Sequence, residues 1–514
     1  MSTTPLPAGS LRATSLNAAR RATELSTVAD DAVDVLVVGG GLVGTGAALD
    51  AAARGLSVVL LEAEDLAWGS SRWSGKLLGG GLPAAGTSAA RVPADLRHAR
   101  DRAVERHVLM TRTAPHLTRT LPLLTPVPAE TSRRTEALRT AALHADDALR
   151  RAARTPADVV PPPRRIPTAE ALALVPGLRT ADLRAALLGF TGQLVDDARL
   201  VVALARTAAA FGARVLTRVR VRSVDAEGAD AVDERTGEAL RVRARSVINA
   251  AGAWADRLAE DLRLTTRRSG HLLLDADAAG LAGTGLVAPG GLLLVPRPDG
   301  TALLSSAEGP ATGAPVLPES DVDDLLAAIS AVLSRPVGRE HVLGTFAGLV
   351  ARPADHPGPG PVVRTSPDRV VTVLDAELTT YRKAAAEAVD AAVRAAALPA
   401  GPSRTTAIAL VGATERRHLA EVPADPRLVA KYGTEAARVA SLAELDPDLA
   451  ERVAPDVALT AAEVLWAVRH EAALDAEDVL DRRSRIGLDP TRRDAARPAV
   501  TALVERALHG VLAG

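Results

Sequence analysis

The stretch DVLVVGGGLVGTGAALDAAARGLSVVLLE, Asp34–Glu62, decides the fold. An apolar run from Asp34 to Val38 breaks into three glycines. A helical pattern follows from Leu42 to Ala53, and a second apolar run from Ser57 ends on the acid Glu62. That order predicts strand, turn, helix and strand, the opening unit of a parallel sheet. The turn reads Gly39-x-Gly41-x-x-Gly44, and each glycine has a reason. Gly39 allows the tight turn, Gly41 lets backbone approach a pyrophosphate at the helix N-terminus, and Gly44 lets helix and strand pack closely. Glu62 stands where a carboxylate accepts hydrogen bonds from a ribose. Together they predict a dinucleotide site, with NAD and FAD both open to this motif.

Composition narrows the rest. At 514 residues the chain exceeds one simple core. Its 61 basic and 62 acidic residues leave no field to attract nucleic acid. The absence of cysteine excludes disulfides, thiolate metal sites, Fe–S clusters and a cysteine nucleophile, and fits a cytoplasmic address. The N-terminal residues lack the apolar core of a signal peptide, and no window approaches the roughly 20 apolar residues of a membrane helix. His98, His107 and His116 turn to alternate sides of a helix, so no metal site is expected. No G-x-S-x-G elbow occurs, and Asp196 and Asp197 read as a helix start.

Further along, a polar, helical leader precedes the first strand. A long helix is expected from Pro93, with Asp95 near its start and Pro115 beyond its end. The proline-rich passages PLLTPVPAETSRR and DVVPPPRRIPT suggest a separate lobe or excursion. A helix from Asp196 and strands within 213–227 and 239–252 lead back to the first sheet at Val247–Asn249. HLLLDA, GGLLLVPRPDG and TALLSSAE predict an antiparallel sheet. VVTVL, 370–374, reads as a buried strand, and the last hundred residues as helices.

Beyond Glu62 come AEDLAWGSSRWSGKLLGGGL (63–82), FTGQLVDDARLV (190–201), NAAGAW (249–254), LTTYRK (378–383), LVAKYGTEA (428–436) and HEAALDAEDVLDRRSRIGL (470–488). In this order they resemble the FAD-dependent glycerol-3-phosphate dehydrogenase family over roughly residues 33–490. The resemblance implies an α/β protein with a Rossmann-like FAD-binding domain (31–110, 190–264 and 345–400), a β-rich substrate domain (111–189 and 265–344) and a C-terminal helical domain (401–514), after a leader of residues 1–30. It implies FAD as cofactor, with Ser70, Ser71 and Lys76 along its flavin side. Ala251 and Gly252 fall in a second backbone turn against it, and Leu378, Thr379 and Thr380 in a turn beside flavin N1 and O2. His271 becomes the first candidate for the catalytic base, and Arg352 a candidate for the substrate phosphate. The implied reaction oxidises glycerol 3-phosphate to dihydroxyacetone phosphate, with hydride passing from C2 to flavin N5 and electrons then to quinone or another acceptor. Peripheral contact at the inner face of a membrane and a homodimer are both compatible with it.

Three departures concern the phosphate pocket. The family run K-L-x-H-G-G-L-R-Y is Lys76–Ala84 here, with Gly79, Pro83 and Ala84 at the His, Arg and Tyr positions. The S/A-G-x-R-P segment is matched by Ala347–Pro353 with Arg352-Pro353 displaced by two residues. G-G-K-L-T-T-Y-R has become Asp375–Arg382, with Asp375 for a glycine and Glu377 for the lysine. Each lost charge-assisted hydrogen bond costs about 1.5–3 kcal/mol. Two rivals therefore stay open: a flavoenzyme for a less anionic alcohol or amine, and a catalytically impaired FAD-binding paralogue with a binding or regulatory role. Capping of the following helix is the plainer account of the two acids. On the lost-anchor reading, Glu377→Lys, alone or with Pro83→Arg, raises glycerol 3-phosphate turnover or binding.

Overall fold

The computed structural model describes residues 11–79, 92–306, 308–311, 315–356 and 360–512. Pro83, Ala84 and the first ten residues of the leader lie outside the described residues. The strand Val33–Val38, the helix Leu42–Ala53 and the strand Val58–Glu62 form as expected. Val35, Leu36 and Val37 are fully buried, and each contributes about 1.5–3 kcal/mol of apolar transfer energy.

Val33–Val38 lies between two parallel neighbours, Val58–Glu62 and Ala239–Asn249. The latter pairs with Val370–Leu374, Asn249 opposite Thr372, and Arg214–Thr217 closes the other side. The chain thus returns to the first sheet at Val247–Asn249, as expected, and the buried strand expected at Val370–Leu374 joins the same sheet. The strand ends carrying Gly39, Glu62 and Ala250 are thereby placed side by side.

A second sheet of 10 strands contains Thr118–Pro128, Leu183–Leu194, Leu264–Asp275, Leu293–Pro296 and Thr301–Ser305. Leu272, Leu274, Leu294 and Leu304 form part of its core. Val342–Pro353 pairs along the whole of Leu264–Asp275, so this segment joins the second sheet rather than the first, where the sequence reading had grouped it. Its register sets Phe346 opposite His271 and Arg352 opposite Thr265.

The proline-rich excursion holds more order than its breakers suggest. Pro122 and Pro126 share one parity of the strand Thr118–Pro128, so their missing N–H groups fall on one edge while Leu183–Leu194 pairs along the other. A helix not foreseen in the sequence, Arg133–Ala152, follows, its start capped by Ser132 accepting from Thr135 N–H. The helix expected from Pro93 runs Val92–Val108 and continues as a π turn, Leu109–Thr113, before Pro115. Its face at 98, 101, 102 and 105 is ionically zipped to the segment after Val370–Leu374. Lys383 Nζ meets Asp101 at 3.1 Å, and Arg382 Nε donates to Glu105 at 2.7 Å.

The leader packs across two regions: Arg21 pairs with Asp233 at 2.7 Å, and Ser15 Oγ meets His470 Nδ1 at 2.7 Å. The last hundred residues are largely helical, chiefly Ala436–Leu445, Ala461–His470 and Pro490–Leu512. They enclose a core around Val464, Val468, Val479 and Val500.

A Cβ on Gly44 would collide with the Gly39 carbonyl oxygen. Gly44→Ala is expected to cost about 1–3 kcal/mol, read as a lower midpoint in thermal unfolding of apoprotein, and to reduce flavin content at fixed protein concentration.

Candidate active site

The parallel strand ends open onto a cleft of about 490 Å³ lined by Gly39, Gly41, Glu62, Trp68, Ser70, Ser71, Ala251 and Gly252, among others. Two features fit the pyrophosphate and ribose half of a dinucleotide. Gly39, at φ +111°, lies so close to Ala250 that a Cβ would sit 2.6 Å from its carbonyl oxygen. The helix Leu42–Ala53 begins at Gly41 without a side-chain cap, so its N-terminal dipole and N–H groups face the cleft. Ser71 Oγ accepts from Leu42 N–H at 2.9 Å, at the mouth of that helix. Gly44 lies beneath the cleft, holding helix to strand.

The Glu62 carboxylate accepts from the N–H groups of Gly40 and Glu64. Burial raises its pKa despite those bonds. A ribose diol at that carboxylate would replace donors now supplied by backbone.

Of the residues the resemblance puts on the flavin side, Ser70 and Ser71 belong to this lining and Lys76 does not. Ser70 Oγ donates to Leu349 carbonyl, tying the cleft to the second sheet. Lys76, at φ +60° and 2% exposed, places Nζ 3.2 Å from buried Asp197. Burial lowers its pKa to about 8 even against Asp197. Its ammonium is thus already partnered, and Lys76 does not line the cleft. Asp196 caps the helix Asp197–Ala210 as expected, while Asp197 also takes Ser74 Oγ at 2.8 Å.

His271 is 1% exposed and engaged at both nitrogens: Nδ1 lies 2.8 Å from Ser305 Oγ and Nε2 3.3 Å from Ser269 Oγ. Its ring stacks on Phe346, centroids 4.8 Å apart. Burial first, and the nearby Lys76 charge second, lower its pKa to about 3. The imidazole is therefore neutral at physiological pH but only weakly basic in this buried setting.

Leu378, Thr379 and Thr380 precede the helix Tyr381–Ala395, whose N-cap is Thr380 with no side-chain cap bond. Thr380 Oγ1 is buried without a partner. Asp375 and Glu377 do not cap this helix, which corrects the capping account: both lie upstream of it and hold side chains from other elements. Asp375 adopts φ +55°, the left-handed region that Asp tolerates better than most residues, and its carboxylate takes Arg352 Nε at 2.8 Å. Glu377 takes His98 Nε2 at 3.1 Å and Arg102 Nε at 3.1 Å. A Cβ at Gly79 would collide with the Arg102 guanidinium, so the glycine at the family's His position makes room for that arginine. A lysine at 377 would face His98 and Arg102 with no carboxylate between them, which opposes the gain expected for Glu377→Lys. Arg352 also meets Glu308 at 3.3 Å. The contacts of His98 and Arg102 with Glu377 were not foreseen in the sequence, where only their helical spacing relative to Asp101 and Glu105 could have marked them. Among the described residues no cluster suited to a metal ion occurs.

Residues 34–377 match the family described as FAD dependent oxidoreductase, and residues 403–509 the C-terminal domain of alpha-glycerophosphate oxidase. Glycerol-3-phosphate dehydrogenase 1 of Mycobacterium tuberculosis is 40% identical, the match covering 93% of this chain and 96% of that protein. Glycerol-3-phosphate dehydrogenase of Mycobacterium leprae is 31% identical over 94% and 86% of the respective chains. A similar solved structure is that of glycerol-3-phosphate dehydrogenase from Bacillus halodurans complexed with FAD, with a TM-score of 0.73, 23% identity and coverage of 96% of this chain and 97% of that one.

Because the folded state keeps His271 neutral down to about pH 3 while the unfolded chain protonates it near 6.5, this residue costs stability as pH falls through that interval. A His271→Gln variant should therefore lose less stability than the parent between pH 6.5 and 4.5. The difference should approach about 1.4 kcal/mol per pH unit, measured by paired denaturant titrations.

Proposed function

The chain belongs to the FAD dependent oxidoreductase family, and from that premise we propose that it oxidises glycerol 3-phosphate to dihydroxyacetone phosphate with FAD as cofactor. The supporting observation is the joint match of both regions, 34–377 and 403–509, to a chain whose glycine cleft ends on Glu62. When bound, FAD supplies the acceptor for the hydride released at substrate C2.

Gly39, Gly41 and the N-terminus of Leu42–Ala53 would hold the pyrophosphate and Glu62 the ribose, with Ala251 and Gly252 as the adjoining backbone wall. Ser70 and Ser71 orient the flavin side, and Leu378, Thr379 and Thr380 form the turn along it. His271 accepts the substrate hydroxyl proton at Nε2, whose contact with Ser269 is the longer of its two. Ser305 then fixes the ring through Nδ1. Arg352, held at Nε by Asp375 and at Nη2 by Glu308, would turn Nη1 to the phosphate.

Electrons leave to a quinone or another acceptor, and contact with a membrane, if made, is peripheral: no helix among the described residues is long and apolar enough to cross one. A homodimer is compatible with this reading.

Glycerol 3-phosphate added without oxygen to the purified protein should bleach the flavin band near ~450 nm. A band that persists sinks the substrate assignment, and no band at all sinks the cofactor assignment.

A second reading, a less anionic substrate on the same scaffold, is favoured by one observation: Arg352 is already engaged by Asp375 and Glu308. The two readings part at Asp375, whose pKa burial raises to about 6 against the pull of Arg352. If Arg352 serves the phosphate, Asp375→Asn should free its charge and lower KM for glycerol 3-phosphate severalfold. An unchanged KM for glycerol 3-phosphate beside an altered KM for glycerol favours the second reading.

A further inference from the structure

We propose that the C-terminal turn Arg482–Arg485 is a positioning element of the active site, holding the loop Asp65–Lys76 from behind so that Ser70 and Ser71 face the cofactor cleft and Trp73 seats His271. The inference rests on the roles given above to the cleft and to His271.

The loop has two faces. Trp68, Gly69, Ser70 and Ser71 line the cleft, while the opposite side is gripped by arginines from the C-terminal region. Asp65, 1% exposed, takes Arg483 Nη1 at 2.7 Å and Nη2 at 2.8 Å, and Arg482 Nε as well. Burial alone would raise the Asp65 pKa, but these two arginines hold it down at about 2. Arg485 Nη2 donates to the Arg72 carbonyl and Nη1 to the Asp481 carbonyl at 2.9 Å.

A layered stack carries the grip inward. Arg482 lies 4.9 Å over Trp68, and Arg72 lies 5.0 Å from Trp68 and 4.4 Å from Trp73. Arg485 lies 5.0 Å over Trp73, Trp73 packs 4.9 Å from Phe346, and Phe346 stacks on His271. In a chain only 2% aromatic, two of its four tryptophans and one of its three phenylalanines fall in this single column. Gly348 permits the approach, since a Cβ there would sit 2.6 Å from the Trp73 carbonyl oxygen.

Arg485 itself is 4% exposed at φ +63°, a left-handed conformation for a non-glycine residue. Strain of that kind persists where surrounding contacts over-determine the backbone. Ordinary interdomain adhesion explains the ion pairs. It does not explain why the column ends on His271, nor why the residues held are those whose other face lines the cleft.

The test uses the full chain with FAD bound, comparing the parent with Arg485→Met, which removes charge and donors, and Arg485→Lys, which keeps charge but loses the paired donors. Four quantities are read: FAD Kd by flavin fluorescence, the visible circular dichroism of bound flavin, kcat per bound flavin with its pH profile, and the apoprotein melting midpoint. Arg485→Met should raise FAD Kd and lower kcat per bound flavin by about tenfold each, with an altered flavin signal, and Arg485→Lys should restore part of both. A fall in melting midpoint alone, with parental Kd, spectrum and kcat per bound flavin, overturns the proposal. If Arg485→Met fails to fold, parental values for Arg485→Lys on those three readouts overturn it equally. Kd and spectrum need no substrate, so a failure of the glycerol 3-phosphate assignment leaves the decision intact.

Discussion

The architecture depends on one close approach: the helix Leu42–Ala53 meets the strand Val33–Val38 at Gly44 over the Gly39 carbonyl, with no room for a side chain. Everything functional hangs from that contact. It aims the helix N-terminus at the cleft, where a dipole of roughly half a unit charge and unpaired N–H groups favour an anion. It also sets the first strand at the depth where its parallel neighbours end on Glu62 and Asn249–Gly252. Local backbone economy at one glycine thus fixes the electrostatic character of a site assembled from segments more than 200 residues apart.

Buried charge does the complementary work of holding separate segments in register. Asp197 binds Lys76, Glu471 binds Arg199, and Glu463 gathers Arg427, Lys431 and Tyr432. Pairs of this kind give little net stability over apolar packing, yet removing one partner strands a charge and costs about 3–5 kcal/mol. Their value lies in specifying which surfaces meet. An Arg-rich, aromatic-poor chain uses them where other proteins would use large side chains, and the leader is drawn in by the same means through Arg21 and Asp233.

What was legible in the sequence follows from which interactions are local. The βαβ unit from Asp34 to Glu62 was readable because glycine spacing and apolar runs act within a few residues. So were the return at Val247–Asn249 and the strand at Val370–Leu374, whose apolar runs mark strands buried on both faces. The helix Arg133–Ala152 was not readable, because flanking prolines dominate the local signal and only Ser132 marks its start. Lys76 was read as a cofactor ligand from its place in a motif, but its partner Asp197 is distant in sequence and no spacing rule finds it. The boundary at residue 345 between the substrate and FAD-binding domains cuts through the strand Val342–Pro353, because its pairing with Leu264–Leu274 is a long-range choice. Arg102 stayed hidden for the same reason: its importance arises from Gly79 and Glu377, which only folding brings beside it.

Asp375 and Glu377 acquire a different meaning from their partners. As bare charges beside a phosphate they would repel it. Each instead lies against an arginine: Asp375 accepts a hydrogen bond from Arg352 Nε, and Glu377 forms an ion pair with Arg102. A tethered guanidinium loses less conformational entropy on binding than a free one, but its charge is already partly neutralised. Preorganisation therefore improves orientation while the carboxylates weaken long-range attraction. On the proposed role of Arg352, recognition of an anion rests on short-range hydrogen-bond geometry more than on net charge.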